Sequence, residues 1–253
     1  MRIVITNDAQ QMGKFAAEHA AQDLRHALEQ YGTASLIVAT GASQFQVLEQ
    51  LVAQPDIDWS RITGFHLDEY VGLSPDHPAS FCKYLQDRFV SKVPLRTFHF
   101  MYGNSDVDQT IHRVGELITQ RTIDVALVGI GENAHLAFND PPANFDTEQP
   151  YLLVDLDDAC RQQQVGEGWF ESLDSVPARA ISMSVRQILK SRAIYCSVPD
   201  ERKSEAVKNS VEGPLSPLVP ASILRQHPNT HLIVDRAAAS KLRNQSVAEA
   251  TVV

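Results

Sequence analysis

Cysteines are scarce in this sequence, and long apolar runs are missing. The three cysteines, Cys82, Cys160 and Cys196, lie far apart and form no CxxC pair, which excludes a zinc ribbon and a disulfide framework. Because a small, odd number of cysteines is typical of a reducing compartment, we expect a cytoplasmic protein. No stretch of about 18 consecutive apolar residues occurs, and this argues against a membrane-spanning helix.

The sequence also lacks an excess of basic residues. It has 22 lysines and arginines against 31 aspartates and glutamates, which gives a formal net charge of −9 at pH 7. Nucleic-acid binders normally carry a basic surplus, so the charge argues against this class. An acidic protein can still bind a small anion, because a helix N-terminus and a few local donors are sufficient.

The composition is that of an ordinary globular protein, with 253 residues of which 43% are hydrophobic and 21% are charged. This length suits one or two domains. Since no linker or internal repeat divides the chain, we predict a single domain over residues 1–253. Residues 237–253 are predicted to form a terminal helix followed by a loose tail.

Short apolar segments alternate with longer amphipathic ones. The strand-like segments cover residues 2–6, 35–39, 62–67, 97–101, 125–130, 180–183, 193–198 and 231–234. Helices are predicted over residues 9–30, 43–53, 80–89, 106–120 and 202–209. This alternation predicts an α/β, Rossmann-like fold, in which a mainly parallel sheet carries helices on both faces.

The first candidate site follows the strand at 35–39. Thr40, Gly41, Ala42 and Ser43 lead from this strand into a helix. A helix N-terminus offers unpaired N–H groups and a partial positive charge, and small residues allow an anion to approach it. The alternative is a tight turn between strand and helix, with Ser43 as the N-cap of the helix.

Two adjacent acids, Asp68 and Glu69, follow the strand at 62–67. The carboxyl end of a parallel strand is where α/β sheets bind ligands. A carboxylate at this position could move a proton on and off a carbon atom. The alternative is a solvated acidic turn, with Tyr70 and Val71 packed beneath it.

A histidine follows the apolar segment 125–130. Beyond two glycines comes His135, with Glu132 and Asp140 close to it in the sequence. A neutral imidazole suits proton transfer near neutral pH, and a neighbouring carboxylate can orient the ring and set its pKa. The alternative is a histidine whose hydrogen bonds are satisfied within a polar loop.

Lys203 enters a helix after the strand at 193–198. It could hold a phosphate as a point charge, and the alternative is an ordinary surface charge. No HxH or HExxH spacing occurs, so we predict no catalytic metal. The absence of a GxSxG motif disfavours an α/β-hydrolase.

Taken together and in this order, these segments resemble the glucosamine-6-phosphate deaminase (isomerase) family, whose fold is shared with the more distant 6-phosphogluconolactonases. The shared motifs are ATG before Ser43, FHLDEYVGLSPDHPASF, VGIGENAHLAFNDPPANF, and Lys203 followed by Glu212-Gly213. The similarity extends from about residue 1 to residue 236. The resemblance implies a Rossmann-like, cytoplasmic aminosugar enzyme that needs no cofactor and is often a homo-oligomer.

Members of this family convert glucosamine 6-phosphate and water to fructose 6-phosphate and ammonia. The resemblance implies that Asp68 carries a proton between C2 and C1 of the substrate, with Glu69 beside it in substrate binding. It also implies that His135 opens the sugar ring, with Asp140 next to it, and that Lys203 and a phosphate loop bind the phosphate. The loop comprises Thr40, Gly41, Ala42 and Ser43.

Three positions depart from the family pattern. Asn133, which we include among the catalytic residues, stands where the family has Asp; an amide can hold a ring nitrogen but cannot stabilise an imidazolium by charge. Asp140 replaces a longer Glu, and we hypothesise that Glu132 restores the negative charge. The family has an arginine near 166–170, but here the nearest arginine is Arg161.

Other functions remain open at this point. They are a galactosamine-6-phosphate deaminase or isomerase, a 6-phosphogluconolactonase-type hydrolase, and a sugar-phosphate-binding sensor without turnover. The segment from Asp68 to Tyr70 argues against the lactonase, because lactone hydrolysis needs no carbon base. Asn133 motivates the sensor, since it removes a charge beside the histidine.

Overall fold

Strands and helices alternate along the chain. The computed structural model describes residues 1–253, with strands β1 Arg2–Thr6, β2 Ala34–Val38, β3 Ile62–His66, β4 Asp68–Tyr70, β5 Thr97–His99, β6 Val125–Val128, β7 Tyr151–Asp155, β8 Arg179–Met183, β9 Ala193–Val198, β10 Thr230–Asp235 and β11 Thr251–Val252. The α-helices are α1 Ala9–Tyr31, α2 Phe45–Val52, α3 Phe81–Leu85, α4 Val107–Thr119, α5 Asp158–Gly166, α6 Val185–Leu189, α7 Ser204–Glu212 and α8 Asn244–Ala248. None of these helices has the length and apolar character that crossing a membrane requires.

The main sheet contains eight strands in the order β11-β1-β10-β9-β6-β2-β3-β5. Every neighbouring pair in it is parallel, so the predicted mainly parallel sheet is confirmed. The predicted strand at 180–183 belongs elsewhere. It lies in β8, the central strand of a separate antiparallel sheet with the order β4-β8-β7.

The two faces of the main sheet are both covered by helices, as predicted. Leu36 and Val38 of β2 belong to a core of 26 buried residues that includes side chains of α1 and α2. Ile37, between them, belongs to a core of 31 buried residues that includes side chains of α4, α6 and α7. Successive side chains of a strand point to opposite faces, so burial on both faces explains apolar runs such as Val125–Val128.

Helix α1 fixes the position of α2 and of the turn before it. The helix begins at Asp8, whose Oδ1 accepts a hydrogen bond from the Gln11 amide at 2.8 Å, and it ends at Gly32 with φ 76°. Its Gly13 allows α2 to pack closely, because a Cβ there would lie 2.6 Å from the carbonyl carbon of Gln46. The turn at 40–43 is therefore held firmly at the end of β2.

The C-terminal residues form regular structure, in place of the loose tail expected from the sequence. After α8, the short strand β11 pairs in parallel with β1, with Val4 opposite Thr251. The Val253 amide also donates to the Ile5 carbonyl at 3.0 Å. Because β1 would otherwise be the edge of the sheet, these residues cover its unpaired backbone groups.

The carboxyl ends of four neighbouring strands, β9, β6, β2 and β3, lie side by side. The segments that follow these strands carry the residues singled out in the sequence. Residues 40–43 follow β2, Asp68 follows β3, His135 follows β6 and Lys203 follows β9. The parallel sheet therefore brings together residues that are far apart in the chain.

Candidate active site

An open cleft lies where these four segments meet. The cleft and the open solvent at its mouth together enclose about 770 Å³ of empty space. Seven residues selected from the sequence line it: Thr40, Gly41, Ala42, Ser43, Asp68, His135 and Lys203. The other three, Glu69, Asn133 and Asp140, lie outside its lining.

Asp68 stands at the junction of the two sheets. It begins β4, opposite Ser182 of β8, and it is only 6% exposed. Burial raises the pKa of its carboxyl group to about 8, and the charge of Glu69 contributes to the increase, while no hydrogen bond from the protein offsets it. A carboxyl group that faces the cleft without a protein partner suits a general base that acts near neutral pH.

Glu69 does not line the cleft, so the structure lends no support to its predicted part in substrate binding. Its carboxylate accepts hydrogen bonds from the Ser80 hydroxyl at 2.8 Å and from the amides of Tyr70, Phe81 and Cys82 at 2.8, 3.2 and 2.7 Å. Burial raises its pKa and these hydrogen bonds lower it, with burial prevailing. Glu69 thus satisfies the free amides at the start of α3 and holds that helix against β4.

His135 pairs with Asp140. The imidazole Nδ1 lies 3.0 Å from Asp140 Oδ1, and both side chains are about nine-tenths buried. The two atoms are within contact distance, but Nδ1 has no hydrogen-bond partner of good geometry. Burial raises the pKa of Asp140, but His135 and the Asn133 amide outweigh burial and hold the pKa below its usual value. A Cβ at Gly131 would overlap the imidazole ring, which explains the glycine there.

Asn133 does not hold a ring nitrogen of the histidine, contrary to expectation. Its Oδ1 accepts from the His135 backbone amide at 3.1 Å. Its Nδ2 donates to Asp140 Oδ1 at 3.0 Å and to Asp157 Oδ2 at 3.1 Å. Asn133 therefore acts on the imidazole only indirectly, through the loop backbone and the Asp140 carboxylate.

The loop at 40–43 is a cradle of free amides. Gly41 has φ 89°, which favours glycine, and a short 3-10 turn over Ala42–Gln44 precedes α2. The amides of Gly41, Ala42 and Ser43 donate no hydrogen bond within the protein. Ser43 is not the N-cap of α2, since Gln44 occupies that position. Free amides at the start of a helical segment are suited to bind an anion.

Lys203 is buried, with 8% of the residue exposed, so it is not a surface charge. Its Nζ lies 3.2 Å from Glu167 Oε1 and 3.9 Å from Glu132 Oε1. Glu132 also faces Arg202, at 4.0 Å. The structure therefore gives no support to the hypothesis that Glu132 replaces a negative charge beside His135, because the ion pairs of Glu132 are with Lys203 and Arg202.

Helix α5 and its C-cap residue Glu167 supply cleft residues that are not predicted from the sequence. Gln163, Gln164 and Glu167 line the cleft, yet no helix or strand is predicted between residues 130 and 180. The signal that could have found this helix is Asp157, a favoured N-cap residue, whose Oδ1 accepts from the Cys160 amide at 2.6 Å. The helix has no wide apolar stripe, and its buried glutamines face the cleft.

No arginine from this segment reaches the cleft. Arg161 donates instead to the Leu173 carbonyl at 2.7 Å and does not line the cleft. Arg202 does line it, but its guanidinium group binds Asp200 Oδ2 through two nitrogens at 2.9 and 2.8 Å. Among the lysines and arginines that line the cleft, Lys203 is therefore the most deeply buried.

One group of side chains has the donor types for a metal ion. Ligand atoms of His135, Asp140 and Cys160 lie within 4.8 Å of one another. A cysteine binds metals as the thiolate, but burial and the charges of Asp140 and Asp157 raise the pKa of the Cys160 thiol far above its usual value. This environment disfavours the thiolate and therefore disfavours a metal at these residues.

The fold and the cleft together define the class of protein. An α/β fold with an unpaired carboxyl group, an imidazole–carboxylate pair and a buried lysine at the ends of its parallel strands is that of an acid–base enzyme for a small anionic ligand. The family described as glucosamine-6-phosphate isomerases/6-phosphogluconolactonase has a model that matches residues 7–233. The chain belongs to this family, and the resemblance found in the sequence is confirmed.

Curated relatives match nearly the whole chain. A glucosamine-6-phosphate deaminase of Lactobacillus delbrueckii subsp. bulgaricus is 33% identical over 244 residues, which cover 96% of this chain and 100% of the relative. A glucosamine-6-phosphate deaminase of Oenococcus oeni is 32% identical over 244 residues, which cover 96% of this chain and 99% of the relative.

Solved structures give the same fold. A monomeric glucosamine-6-phosphate deaminase superimposes with a TM-score of 0.87 at 32% identity, covering 96% of this chain and 100% of that one. A 6-phosphogluconolactonase from Thermotoga maritima superimposes with a TM-score of 0.76 at 16% identity, covering 93% of this chain and 100% of that one. The lactonase at this low identity shares the fold only.

Proposed function

We propose that this protein acts as a glucosamine-6-phosphate deaminase, which converts glucosamine 6-phosphate and water to fructose 6-phosphate and ammonia. The observation that carries the proposal is the unpaired Asp68 carboxyl group in the same cleft as the His135–Asp140 pair. The deaminase from Lactobacillus delbrueckii, 33% identical over nearly the whole chain, supports this choice of substrate.

In this proposal the phosphate binds at the loop. The free amides of Gly41, Ala42 and Ser43 donate to the phosphate oxygens, and the Lys203 ammonium group supplies positive charge. This explains how a chain with a net charge of −9 binds an anion: the local donors decide binding, and the overall charge does not.

The protons move in two stages. His135, whose Nδ1 lies 3.0 Å from Asp140 Oδ1, uses Nε2 to transfer a proton from the anomeric hydroxyl to the ring oxygen, which breaks the C1–O5 bond and gives the open aldehyde. Asp68 then removes the proton from C2 while the aldehyde oxygen takes up a proton, which gives an enolamine. Return of the Asp68 proton to C1, with loss of a proton from nitrogen, gives an imine at C2 and a hydroxyl at C1. Water adds to this imine, ammonia leaves, and the C2 ketone of fructose 6-phosphate remains.

The test is to incubate the protein with glucosamine 6-phosphate and to measure both ammonia and fructose 6-phosphate. Asp68→Asn and His135→Gln should each abolish turnover while far-ultraviolet circular dichroism stays unchanged. Asp155→Asn and His112→Gln are matched controls at exposed positions of β7 and α4, and they should retain full activity. Full activity of Asp68→Asn would remove the carbon-base role.

The same assay separates the alternative functions. Turnover of galactosamine 6-phosphate without turnover of glucosamine 6-phosphate would show that the galacto epimer is the substrate, and the proposed mechanism would still apply. Hydrolysis of 6-phosphogluconolactone without release of ammonia would favour the lactonase. Binding of glucosamine 6-phosphate without release of ammonia would indicate the sensor.

The domain, location and assembly remain predictions. The cleft combines residues from position 40 to position 203, which supports one domain over residues 1–253. A cytoplasmic location is expected from the cysteine content and the family resemblance. A homo-oligomer is also expected from the resemblance, but a relative with 32% identity is described as monomeric, so size-exclusion chromatography with light scattering is the direct test.

A further inference from the structure

The Lys203 ammonium group already has an acidic partner inside the cleft. Its Nζ lies 3.2 Å from Glu167 Oε1, and these two side chains are only 10% and 8% exposed. Glu167 is itself held in place, since Oε1 accepts from Gln163 Nε2 at 2.9 Å and Oε2 from Trp169 Nε1 at 3.3 Å. A fixed carboxylate therefore stands beside the group that is proposed to bind the phosphate.

We propose that the Glu167 carboxylate competes with the phosphate of the substrate for Lys203 and thereby sets the affinity of the cleft for anions. The inference rests on the proposed function, because it takes Lys203 as the phosphate anchor. A phosphate that contacts Lys203 Nζ comes close to the Glu167 carboxylate, and like charges in a buried site repel strongly. The phosphate must therefore displace Glu167 from Lys203 or bind against this repulsion, so Glu167 weakens the binding of anions.

The substitution Glu167→Gln tests the competition. It keeps the size of the side chain and removes its charge, so the KM for glucosamine 6-phosphate should fall by at least about tenfold while kcat stays within about threefold. Inorganic phosphate should become a stronger competitive inhibitor by a similar factor. Glu171→Gln, an exposed acid close by in the sequence, is the matched control and should change neither constant.

A second variant gives a graded effect. Glu132 Oε1 lies 3.9 Å from Lys203 Nζ, compared with 3.2 Å for Glu167, and Glu132 is 37% exposed. Glu132→Gln should therefore shift the KM in the same direction by a smaller factor. If Glu167→Gln folds poorly, Glu132→Gln still tests whether a carboxylate near Lys203 weakens phosphate binding.

Binding of inorganic phosphate separates this inference from the proposed reaction. The increase in melting temperature caused by inorganic phosphate can be measured without turnover. This increase should be larger in Glu167→Gln than in the wild type. If the deaminase activity were absent but this difference held, the competition would stand and only the reaction would change. A higher KM and weaker phosphate binding in Glu167→Gln would overturn the inference, because Glu167 would then assist binding.

A second, independent observation concerns Asp157, which lies behind the catalytic histidine. Its Oδ2 accepts from Asn133 Nδ2 at 3.1 Å, and its backbone amide donates to Asp140 Oδ2 at 3.1 Å. The same Asn133 amide group also donates to Asp140 Oδ1 at 3.0 Å. Two carboxylates, from different segments of the chain, thus share the two hydrogens of one amide.

We infer that Asp157 is a positioning residue, which acts through Asn133 and Asp140 on the His135 imidazole. Asp157 fixes the amide of Asn133, and the two of them fix both oxygens of Asp140, which contacts the ring. Asn133 is the matching partner for this arrangement, because an amide can donate to two carboxylates and a carboxylate cannot. An aspartate at 133 would bring a third negative charge against the other two.

The test is a double-mutant cycle at positions 133 and 157. Asn133→Asp alone should lower kcat by at least about tenfold and alter its pH profile, since the added negative charge favours protonation of Asp140 and removes one of its hydrogen-bond donors. Adding Asp157→Asn should restore kcat to within about threefold of the wild type, because one amide and one carboxylate are again present.

The control separates positioning from helix capping. Asp106 caps α4 through the Gln109 amide at 3.0 Å, as Asp157 caps α5, but only Asp157 also hydrogen-bonds Asn133 and Asp140. Asp106→Asn should leave the pH profile unchanged. The inference would be refuted if the effects of the two substitutions on kcat were additive and the pH profile stayed unchanged in every variant. Asp157 would then serve only as the N-cap of α5.

Discussion

Replacing Asp68 with asparagine should abolish turnover and at the same time stabilise the folded protein. The pKa of Asp68 is raised from 3.8 to about 8 in the folded state, with burial as the main cause. At pH 7 the unfolded chain ionises this group freely, whereas the folded protein must keep it protonated or bury its charge. One pKa unit corresponds to about 1.4 kcal/mol, so the penalty at pH 7 has an upper limit of about 4 kcal/mol.

The sign of the pH dependence follows from the raised pKa. Below about pH 4, Asp68 is protonated in both states and contributes no penalty. As the pH rises from about 4 to about 8, the unfolded state releases its proton first, so the wild type loses stability relative to Asp68→Asn. Above about pH 8 both states are ionised and the difference becomes constant. Asparagine does not titrate, so the variant lacks this contribution.

Urea denaturation of the two proteins between about pH 5 and about pH 8 measures this difference. The difference in the free energy of unfolding should grow by about 1.4 kcal/mol for each pH unit. Asp155→Asn, at an exposed position of β7, is the control and should show no such slope. A difference between wild type and Asp68→Asn that stays constant with pH would refute the raised pKa. In activity assays, kcat/KM of the wild type should rise about tenfold per pH unit until it levels near pH 8.

Three further substitutions follow from the contacts. Gly131→Ala should reduce kcat by at least about tenfold, because its methyl group overlaps the His135 ring; unchanged kcat with a native circular dichroism spectrum would contradict this. Ser80→Ala should lower the free energy of unfolding by about 1–3 kcal/mol, since it removes the hydroxyl donor to buried Glu69; urea denaturation measures the loss, and an unchanged midpoint would show that the bond is dispensable. Lys203→Met should raise the KM for glucosamine 6-phosphate by at least about tenfold with a smaller effect on kcat; steady-state kinetics that leave the KM unchanged would remove Lys203 from the phosphate site.

The sequence predicts those elements of the fold that are buried on both sides. Val125–Val128 is apolar throughout because helices cover both faces of the main sheet, and such a run is visible in any sequence. In β7, Tyr151–Asp155, only Tyr151 is buried, and the residues after it alternate between half-buried and exposed. Acidic residues surround the end of this strand. Helix α5 follows, and its buried side chains include glutamines that face the cleft. Apolar periodicity does not predict these two elements, because their buried side chains face the cleft or the small sheet and are not arranged in an apolar stripe.

Some residues of the candidate site are likewise predictable from the sequence, and others are not. Asp68, His135 and Lys203 each lie in a local motif next to the end of a strand, so the sequence alone identifies them as candidate site residues. The contact of Glu167 with Lys203 joins residues 36 positions apart, and that of Asn133 with Asp157 joins residues 24 positions apart. Such contacts exist only once α5 has packed over the cleft, so no local motif contains them.

Asp68 and Glu69 show where elementary geometry corrects a motif. Both are acidic and adjacent, and the sequence assigns both to the ligand. In β4, however, successive side chains point in opposite directions, so only one of them can face the cleft. Asp68 faces it without a protein hydrogen bond, whereas Glu69 turns to α3 and accepts four hydrogen bonds. Loss of the Asp68 charge should therefore stabilise the fold and end catalysis, and loss of a donor to Glu69 should destabilise the fold, so the two neighbours respond in opposite directions to removal of polar groups.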